Sequence, residues 1–404
     1  MSRRVVIAGA GMGGLRAAEQ LRAAGWDGAI TVVGDEEHLP YNRPPLSKGL
    51  LTADGDERSA FDSVAFRRRR SIHDAEWILG NPVRSASLRD RTIRLADDSS
   101  LSYDGLVVAT GLRPRRLPID GAPHSRVALR TLGDALALRS TLRAGGHVVV
   151  IGGGFIGCEV AATARLLGCR VTVVEPFAVP MRRAVGDALG GALQRHHEAR
   201  GVEFRTGVGV AGIHCGHDGG AAVELCSGAV LSAEVIVESV GSHANVEWLS
   251  GNGLDLSDGV LCDNAMRVEG LPDVVAVGDV ARFPNPLFDD VSRRVEHWCV
   301  PTETAKQAAP TLVAHLNGEI PEPGRFAPLP SFWSDQFDLR IQGFGAPGLA
   351  DDAGVLEGDL DQIEAGVAIG YYRAGTPVGA VLVGLPANRH AHYRELLSRA
   401  VQAA

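Results

Sequence analysis

Hydrophobic positions along this chain come in short unbroken runs that end in glycine. Val5-Val6-Ile7-Ala8 leads directly into GAGMGG, Gly9 to Gly14, and Val148-Val149-Val150-Ile151 leads directly into GGGFIG, Gly152 to Gly157. Runs this short, rich in β-branched residues and bounded by glycine, predict buried parallel strands. A helical pattern follows each turn. A second apolar run then closes on an acid: Ile30-Thr31-Val32-Val33-Gly34-Asp35 in the first case, Val171-Thr172-Val173-Val174-Glu175 in the second. Strand, tight turn, helix, strand and acid are therefore written twice.

Between and after these units the pattern changes. Residues 39–51 are proline-rich and then apolar, which predicts an irregular loop entering a short helix. Arg91 to Leu95 reads as a strand, and Tyr103 to Gly111 as a buried strand ending in a Thr-Gly turn. A long helix is expected through Leu189, Leu193 and His197, then strands near 202–213, 221–226 and 234–240. The run Val274 to Val280 predicts another buried strand ending in an acid. Pro321, Pro323, Pro328 and Pro330 mark a linker. Beyond it, Phe332 to Gly345 and the residues around 366–383 alternate like antiparallel strands, and Tyr393 to Val401 reads as a helix. The expected class is α/β, with two repeated strand–turn–helix–strand units and an α+β part at the C-terminal side.

Glycine at these spacings has a chemical reason. The first allows the sharp turn from strand to helix, the second lets backbone approach a pyrophosphate, and the third lets helix and strand pack closely. These are Gly9, Gly11 and Gly14, then Gly152, Gly154 and Gly157. The pyrophosphate is expected at free N–H groups of the helix start, and Asp35 and Glu175 are expected to accept hydrogen bonds from ribose hydroxyls. A single glycine cluster is as readily a simple turn. Two copies, each with its acid, point to an enzyme that holds two dinucleotides and passes electrons between them.

Bulk properties narrow the class further. The 404 residues are 45% hydrophobic and include 50 glycines, enough for two or three domains with many strand-to-helix turns. A formal charge of −8 argues against a nucleic-acid binder. No apolar stretch reaches the length of a membrane span, and the first glycine turn with Arg16 and Glu19 interrupts any secretion signal, so a cytoplasmic protein is expected. Cys158, Cys169, Cys215, Cys226, Cys262 and Cys299 form no CxxC or CxxxxC pair. That spacing offers neither a metal site nor a redox dithiol.

With these motifs in order, the chain resembles the FAD-dependent, NADH-linked ferredoxin reductases that feed bacterial Rieske oxygenases and cytochromes P450. The resemblance rests on GAGMGG, PYNRPPLSK (Pro40 to Lys48), LVVATGLRPR (Leu106 to Arg115), LRTLGDA (Leu129 to Ala135), GGGFIGCEVA (Gly152 to Ala161), VVAVGDVARF (Val274 to Phe283), RVEHW (Arg294 to Trp298) and SFWSDQF (Ser331 to Phe337). These cover nearly the whole chain, and RPPLSK, EHW and FWSDQ are far more specific than any glycine motif. The resemblance implies an α/β fold with two Rossmann-like dinucleotide-binding domains of the glutathione-reductase type, a discontinuous FAD domain (1–110 and 241–320) and an inserted NADH domain (111–240), followed by a C-terminal α+β domain (321–404).

It also implies roles. FAD would be held by Gly9, Gly11, Gly13, Gly14, Asp35, Arg43, Lys48, Val83, Thr110, Gly111, Arg130, Gly278, Asp279, His297 and Trp298. Asp279 would take the ribityl chain, and Trp298 would lie beside the isoalloxazine ring. NADH would be held by Gly152, Gly154, Phe155, Ile156, Gly157, Glu159, Glu175 and Gly241. The catalytic set would be Lys48, Glu159, Phe155 and Trp333, with Phe155 where nicotinamide meets flavin, a Lys48–Glu159 ion pair near flavin N5, and Trp333 covering the site. Without the resemblance, Glu159 is only an acid near a helix start, and Trp298 an ordinary core residue.

The implied reaction moves a hydride from NADH to FAD and then single electrons to a [2Fe–2S] ferredoxin, with no metal site and a monomer or weak homodimer. Glu175 favours the 2′-hydroxyl of NADH over the phosphate of NADPH, although Arg182 and Arg183 follow closely. Basic candidates for docking an acidic ferredoxin are Arg67 to Arg70, Arg113, Arg115, Arg116, Arg293 and Arg294. Alternatives are a rubredoxin acceptor, an apoptosis-inducing-factor-like flavoprotein acting through partners, and an NADH oxidase or peroxide reductase; the last places a cysteine where this chain has YNRPPLSK. Departures from the resemblance are Glu238 and His243 in ESVGSHAN, CVPTETAKQA after EHW, and Leu385 to Arg389 in place of a clear NRP motif.

Overall fold

The glycine-bounded apolar runs become strands. The computed structural model describes residues 3–216, 220–320 and 324–403. Its principal elements are β1 (Arg4–Ala8), α1 (Met12–Ala23), β2 (Ala29–Val33), β3 (Glu76–Ile78), β4 (Gly105–Val108), β5 (Arg126–Ala128), β6 (His147–Ile151), α2 (Phe155–Leu166), β7 (Arg170–Glu175), α3 (Arg182–Ala199), β8 (Val202–Thr206), β9 (Val235–Glu238), β10 (Val274–Ala276) and α4 (Val300–Leu316). They end with β11 (Ser331–Gln336), β12 (Leu339–Gly345), β13 (Asp352–Glu357), β14 (Val367–Arg373), β15 (Thr376–Val383) and α5 (Ala387–Ala403).

The chain divides into two compact units. One comprises Met1–Asn42, Val64–Arg113 and His243–Pro330; the other comprises Arg43–Ser63, Pro114–Ser242 and Ser331–Ala404.

In the first unit five strands lie in the order β10-β4-β1-β2-β3, all parallel. Val5, Val6, Ile7, Leu106 and Val275 are almost wholly buried, because a parallel sheet covered on both faces leaves no polar side. Neighbours lie on both sides of β1, so the chain crosses from one side of the sheet to the other at its carboxyl end. That is where such folds open a crevice. The helix α4 packs along α1. Sequence reading made no assignment over α4, which carries Pro301 and Pro310, residues that commonly break helices. Pro301 occupies the helix start, where its missing N–H costs nothing, and beside Pro310 the Thr311 hydroxyl donates to the Gln307 carbonyl at 2.9 Å.

Residues 324–330 are tied into this unit, unlike a free linker. Asn264 exchanges two hydrogen bonds with the Phe326 backbone, at 2.7 and 2.8 Å, and Asn285 donates to the Pro328 carbonyl at 2.8 Å. Pro321 and Pro323 lie outside the described residues.

Besides a three-stranded antiparallel sheet of Val210–Cys215, Ala221–Leu225 and Val230–Ala233, the second unit has two five-stranded sheets among the described residues. One is parallel, in the order β8-β7-β6-β9-β5, and repeats the first unit's arrangement around β6. The other is antiparallel, in the order β11-β12-β15-β14-β13, with α5 against β15 and β11 against α2. Residues 43–63 join this unit through specific bonds. Arg43 donates to the Arg130 carbonyl, and Arg139 donates to the carbonyls of Ala53 and Gly55 at 3.0 and 2.7 Å.

Candidate functional site

The two glycine turns answer the question of why glycine stands at each position. Gly9 has φ +119°, and a Cβ there would lie 2.1 Å from the Ala109 carbonyl oxygen; a Cβ on Gly14 would lie 1.9 Å from that of Gly9. In the second turn, Gly152 has φ +102° and would meet Ser239 at 2.3 Å, and Gly157 would meet Gly152 at 2.0 Å. These four glycines are required by the protein's own packing. Gly11 and Gly154 are different. Their φ angles are −82° and −75°, open to any residue, and a Cβ on either would meet nothing within 4 Å. Both cap a helix start, with no side-chain cap and no acid in the first turn. Free N–H groups and the helix dipole leave a cradle for an anion that approaches backbone closely. The residues present therefore fit a dinucleotide pyrophosphate at each turn. A Cβ on Gly13 would lie 3.4 Å from the Val277 carbonyl oxygen, and Ile156 stands 45% exposed beside the second cradle.

The two acids differ. Asp35 is exposed just beyond β2, while neighbouring Glu36 accepts a 2.5 Å hydrogen bond from the Tyr41 hydroxyl. Glu175 is buried at the end of β7 and accepts from the N–H groups of Gly153 (2.7 Å) and Phe177 (3.0 Å). It thus clamps the loop after β7 to the glycine turn, and Met181 N–H adds a 2.8 Å bond to the Gly153 carbonyl. Arg182 and Arg183 lie over the Phe177 ring. Arg182 is also held by Asp187 through contacts of 2.7 and 3.3 Å.

In the first unit, the strand ends carry the remaining expected residues. Thr110 donates to the Asn245 carbonyl at 2.6 Å, and Asn245 returns a bond to the Thr110 carbonyl at 3.0 Å, fixing the turn at Gly111 (φ +60°). Gly278 (φ +81°) follows β10, and its N–H donates to Thr304 on α4 at 2.9 Å, which sets partly exposed Asp279 at the head of that helix. Trp298 is 40% exposed and donates from Nε1 to Asn42 at 2.9 Å. Burial pushes the His297 imidazole down to about 4, so it is neutral at pH 7. Val83 starts a strand of a small antiparallel sheet, paired with Leu95. In the second unit, the Arg130 N–H is capped by Asp134 at 3.0 Å, and Gly241 has φ +99°.

The second unit brings Lys48 and Glu159 together. Lys48 Nζ lies 2.9 Å from Glu159 Oε1, and Asp335 is 3.9 Å from the same ammonium. Glu159 faces inward on α2 and is buried, with two hydroxyls donating to it: Ser47 at 2.5 Å and Ser334 at 2.6 Å. Phe155 packs against Phe332, with ring centroids 5.0 Å apart. Strand alternation places Phe332, Ser334 and Gln336 on one side of β11, and Trp333 on the other, under the Arg340 guanidinium. Sequence reading singled out Trp333 and missed Ser47, Phe332, Ser334 and Gln336. The available signal was the alternation of SFWSDQ itself, with polar residues at the buried places of a strand.

Other expectations change character. Glu238 forms buried ion pairs, and His243 is exposed. Of the arginines suggested for docking, Arg113 is paired with Glu247, Arg116 with Glu238, Arg293 with Asp289 and Arg294 with Asp258 and Glu296. Arg69 lies 3.6 Å from Glu19. Arg67, Arg68 and Arg70 are exposed and have no carboxylate partner among the described residues.

Comparison with known proteins agrees with this geometry. The anthranilate 1,2-dioxygenase system ferredoxin–NAD(+) reductase component of Burkholderia cepacia is 39% identical over 360 residues, covering 88% of this chain and 84% of that one. Putidaredoxin reductase of Pseudomonas putida is 36% identical over 388 residues, covering 93% and 87%. A crystal structure of the covalent putidaredoxin reductase–putidaredoxin complex superposes with a TM-score of 0.88 at 31% identity, covering 98% of this chain and 93% of that one. Residues 331–404 match the family described as reductase C-terminal. None of the six cysteines is joined in a disulfide. Residues 3–305 match the pyridine nucleotide-disulphide oxidoreductase family, and the chain belongs to it.

Proposed function

We propose that this protein is an NADH:ferredoxin oxidoreductase that uses FAD and supplies a [2Fe–2S] ferredoxin of a Rieske oxygenase or cytochrome P450 system. The observation that carries the reading is the pair of open cradles at Gly11 and Gly154, glycines that neither φ nor packing demands. Two dinucleotides held in one chain, with no dithiol between them and the chain, leave a small electron carrier as the acceptor. The relatives' names support a ferredoxin in that role.

In this reading the domains are 1–110 with 241–320 for FAD, 111–240 for NADH, and 321–404 at the C-terminus. Gly9, Gly11, Gly13, Gly14 and Asp35 hold the FAD adenosine half. Arg43, Val83, Thr110, Gly111, Arg130, Gly278, Asp279, His297 and Trp298 line the rest. Gly152, Gly154, Ile156, Gly157, Glu175 and Gly241 bind NADH. When bound, FAD would supply the chemistry that couples a two-electron hydride donor to a one-electron acceptor. Phe155 and Trp333 orient the rings and exclude water, and Glu159 holds the Lys48 ammonium in place. The compartment is the cytoplasm, supported by six cysteines that remain unpaired.

The test is anaerobic. NADH is added to the purified yellow protein, and flavin bleaching is followed before and after addition of a [2Fe–2S] ferredoxin. Rapid bleaching followed by catalytic ferredoxin reduction is expected. A long-lived reduced complex that delivers electrons to no ferredoxin would overturn the reading in favour of a partner-binding flavoprotein, and delivery to rubredoxin alone would change the acceptor.

A further inference from the structure

Behind the Lys48–Glu159 pair runs a chain of buried side chains whose hydrogen-bond directions are all determined. The ionised Glu159 carboxylate only accepts, so the Ser334 hydroxyl donates its single proton to it, at 2.6 Å. Ser334 Oγ is then left as an acceptor, and Gln336 Nε2 donates to it at 3.0 Å. Gln336 therefore turns Oε1 toward His197, and His197 Nε2 lies 2.8 Å away, a distance that requires a proton on Nε2. The opposite amide orientation fails. It would turn the Ser334 proton away from Glu159 and place a proton on His197 Nδ1, which is buried without a hydrogen-bond partner. A bare Nδ1 acceptor costs less there than a buried N–H donor left without a partner. Glu159, Ser334 and Gln336 are all buried, and His197 is completely so, enclosed by the rings of Phe204 and Phe337. Burial also holds the imidazole neutral, pushing it down to about 4. The Gln336 amide has a further contact at Met181 Sδ, 3.3 Å away.

We propose that Ser334, Gln336 and His197 are positioning residues: they point a row of donors at Glu159, hold its carboxylate in one orientation, and so fix the Lys48 ammonium. Ser47 completes the set from the other side at 2.5 Å, and its carbonyl is itself held by Thr163 at 2.9 Å. Three of these groups lie on β11 and α3, far along the chain from Lys48. A chain element after residue 330 thus sets the geometry of a residue that the proposed function places at the flavin, and the inference rests on that reading for its catalytic consequence.

The experiment compares wild type with Ser334→Ala, Gln336→Leu and Gln336→Glu. The first readout needs no cofactor: the rate at which Lys48 is reductively methylated by formaldehyde and cyanoborohydride, read by peptide mass spectrometry. Loosening the pair is expected to raise Lys48 modification by roughly tenfold in Ser334→Ala and Gln336→Leu, with Lys306, the one other lysine of the sequence, and the circular dichroism spectrum unchanged. The second readout is anaerobic flavin reduction with NADH. A lower limiting rate with unchanged NADH affinity is expected, on the order of tenfold, because positioning is lost while binding is kept. Gln336→Glu retains an acceptor toward His197 but loses the donor toward Ser334, so it is expected to behave as the leucine variant does. Should Gln336→Leu fail to fold, Ser334→Ala carries the test. Unchanged Lys48 modification in a folded Ser334→Ala protein would overturn the inference. A wild type that NADH does not reduce would overturn the functional reading instead, leaving the modification result to stand by itself.

Discussion

Glu238 is fully buried at the end of β9, and its carboxylate lies 2.6 Å from the guanidinium of Arg126. Arg116 meets the other oxygen at 2.7 Å, and the Leu117 N–H approaches at 3.3 Å. Arg126 in turn donates to the carbonyls of Ile119, Gly121 and Leu117. This departure from the resembled family therefore closes the loop between residues 116 and 126 onto the parallel sheet of the second unit. Removing one partner of a buried ion pair leaves the other uncompensated. Glu238→Ala is expected to destabilise the protein by about 3 kcal/mol, read as a lower guanidinium-unfolding midpoint. A midpoint equal to wild type would show that the pair contributes no net stability.

Gly11 and Gly154 separate folding from binding. With open space at both positions, Gly11→Ala and Gly154→Ala are expected to unfold within about 0.5 kcal/mol of wild type. Gly11→Ala is expected to purify with little FAD. Gly154→Ala is expected to keep FAD and bind NADH at least roughly tenfold more weakly, a loss of about 1.4 kcal/mol. Gly14→Ala serves as the contrast, because its Cβ would lie 1.9 Å from the Gly9 carbonyl oxygen, and its expected defect is in folding itself. Absorbance at the flavin maximum and NADH titration check all three.

Two buried histidines make stability depend on pH. His197 and His297 are pushed from 6.5 down to about 4, in each case chiefly by burial. Above pH 6.5 each is neutral in the folded and unfolded chain, and its contribution is fully present. As pH falls from 6.5 toward 4, the unfolded chain takes up protons that the folded protein refuses, and stability is lost, on the order of a few kcal/mol per histidine. The urea midpoint should fall from pH 7 to pH 4.5, and His197→Phe should fall less steeply. Equal slopes would place the His197 ionisation outside folding.

Nucleotide preference rests on two carboxylates. In the proposed function, Glu175 at the NADH cradle disfavours a 2′-phosphate by its charge. Asp187 holds Arg182 bidentately, which keeps that guanidinium from serving as a phosphate ligand. NADH is expected to exceed NADPH in kcat/KM, and Asp187→Asn should narrow the gap by raising the NADPH value. Equal use of both by wild type would remove the argument.

Docking of an acidic ferredoxin narrows to the arginines without carboxylate partners. Arg67, Arg68, Arg70 and Arg115 are exposed and have no carboxylate partner among the described residues, whereas Arg113, Arg116, Arg293 and Arg294 already have acids of their own. Changing Arg67, Arg68 and Arg70 to Gln together is expected to raise the KM for ferredoxin and flatten its increase with salt, leaving NADH-driven flavin reduction unaltered. An unchanged salt profile would move the docking face elsewhere.

The parallel sheets were legible because a buried parallel strand must be apolar at every position, and glycine must stand where the chain turns sharply under the next helix. Val5 to Ala8 and Val148 to Ile151 needed no tertiary information for that reason. The helix Val300–Leu316 was not assigned from the sequence; it carries Pro301 and Pro310, whose cost depends on where in the helix they fall.

The site divides along the same line. Local sequence determined the two anion cradles, since they are made from consecutive residues whose conformation glycine permits. Even so, only the tertiary packing separated Gly11 and Gly154, open to a ligand, from Gly9, Gly14, Gly152 and Gly157, crowded by the protein itself. Tertiary structure alone decided which polar groups stand behind Lys48. Ser47, Glu159, Gln336 and His197 come from a turn, two helices and a strand, and nothing in their spacing along the chain indicates that they form one row. A strand's period of two could mark Ser334 and Gln336 as sharing a face, but burial and partner are properties of what packs against that face, and packing is decided between elements rather than within them.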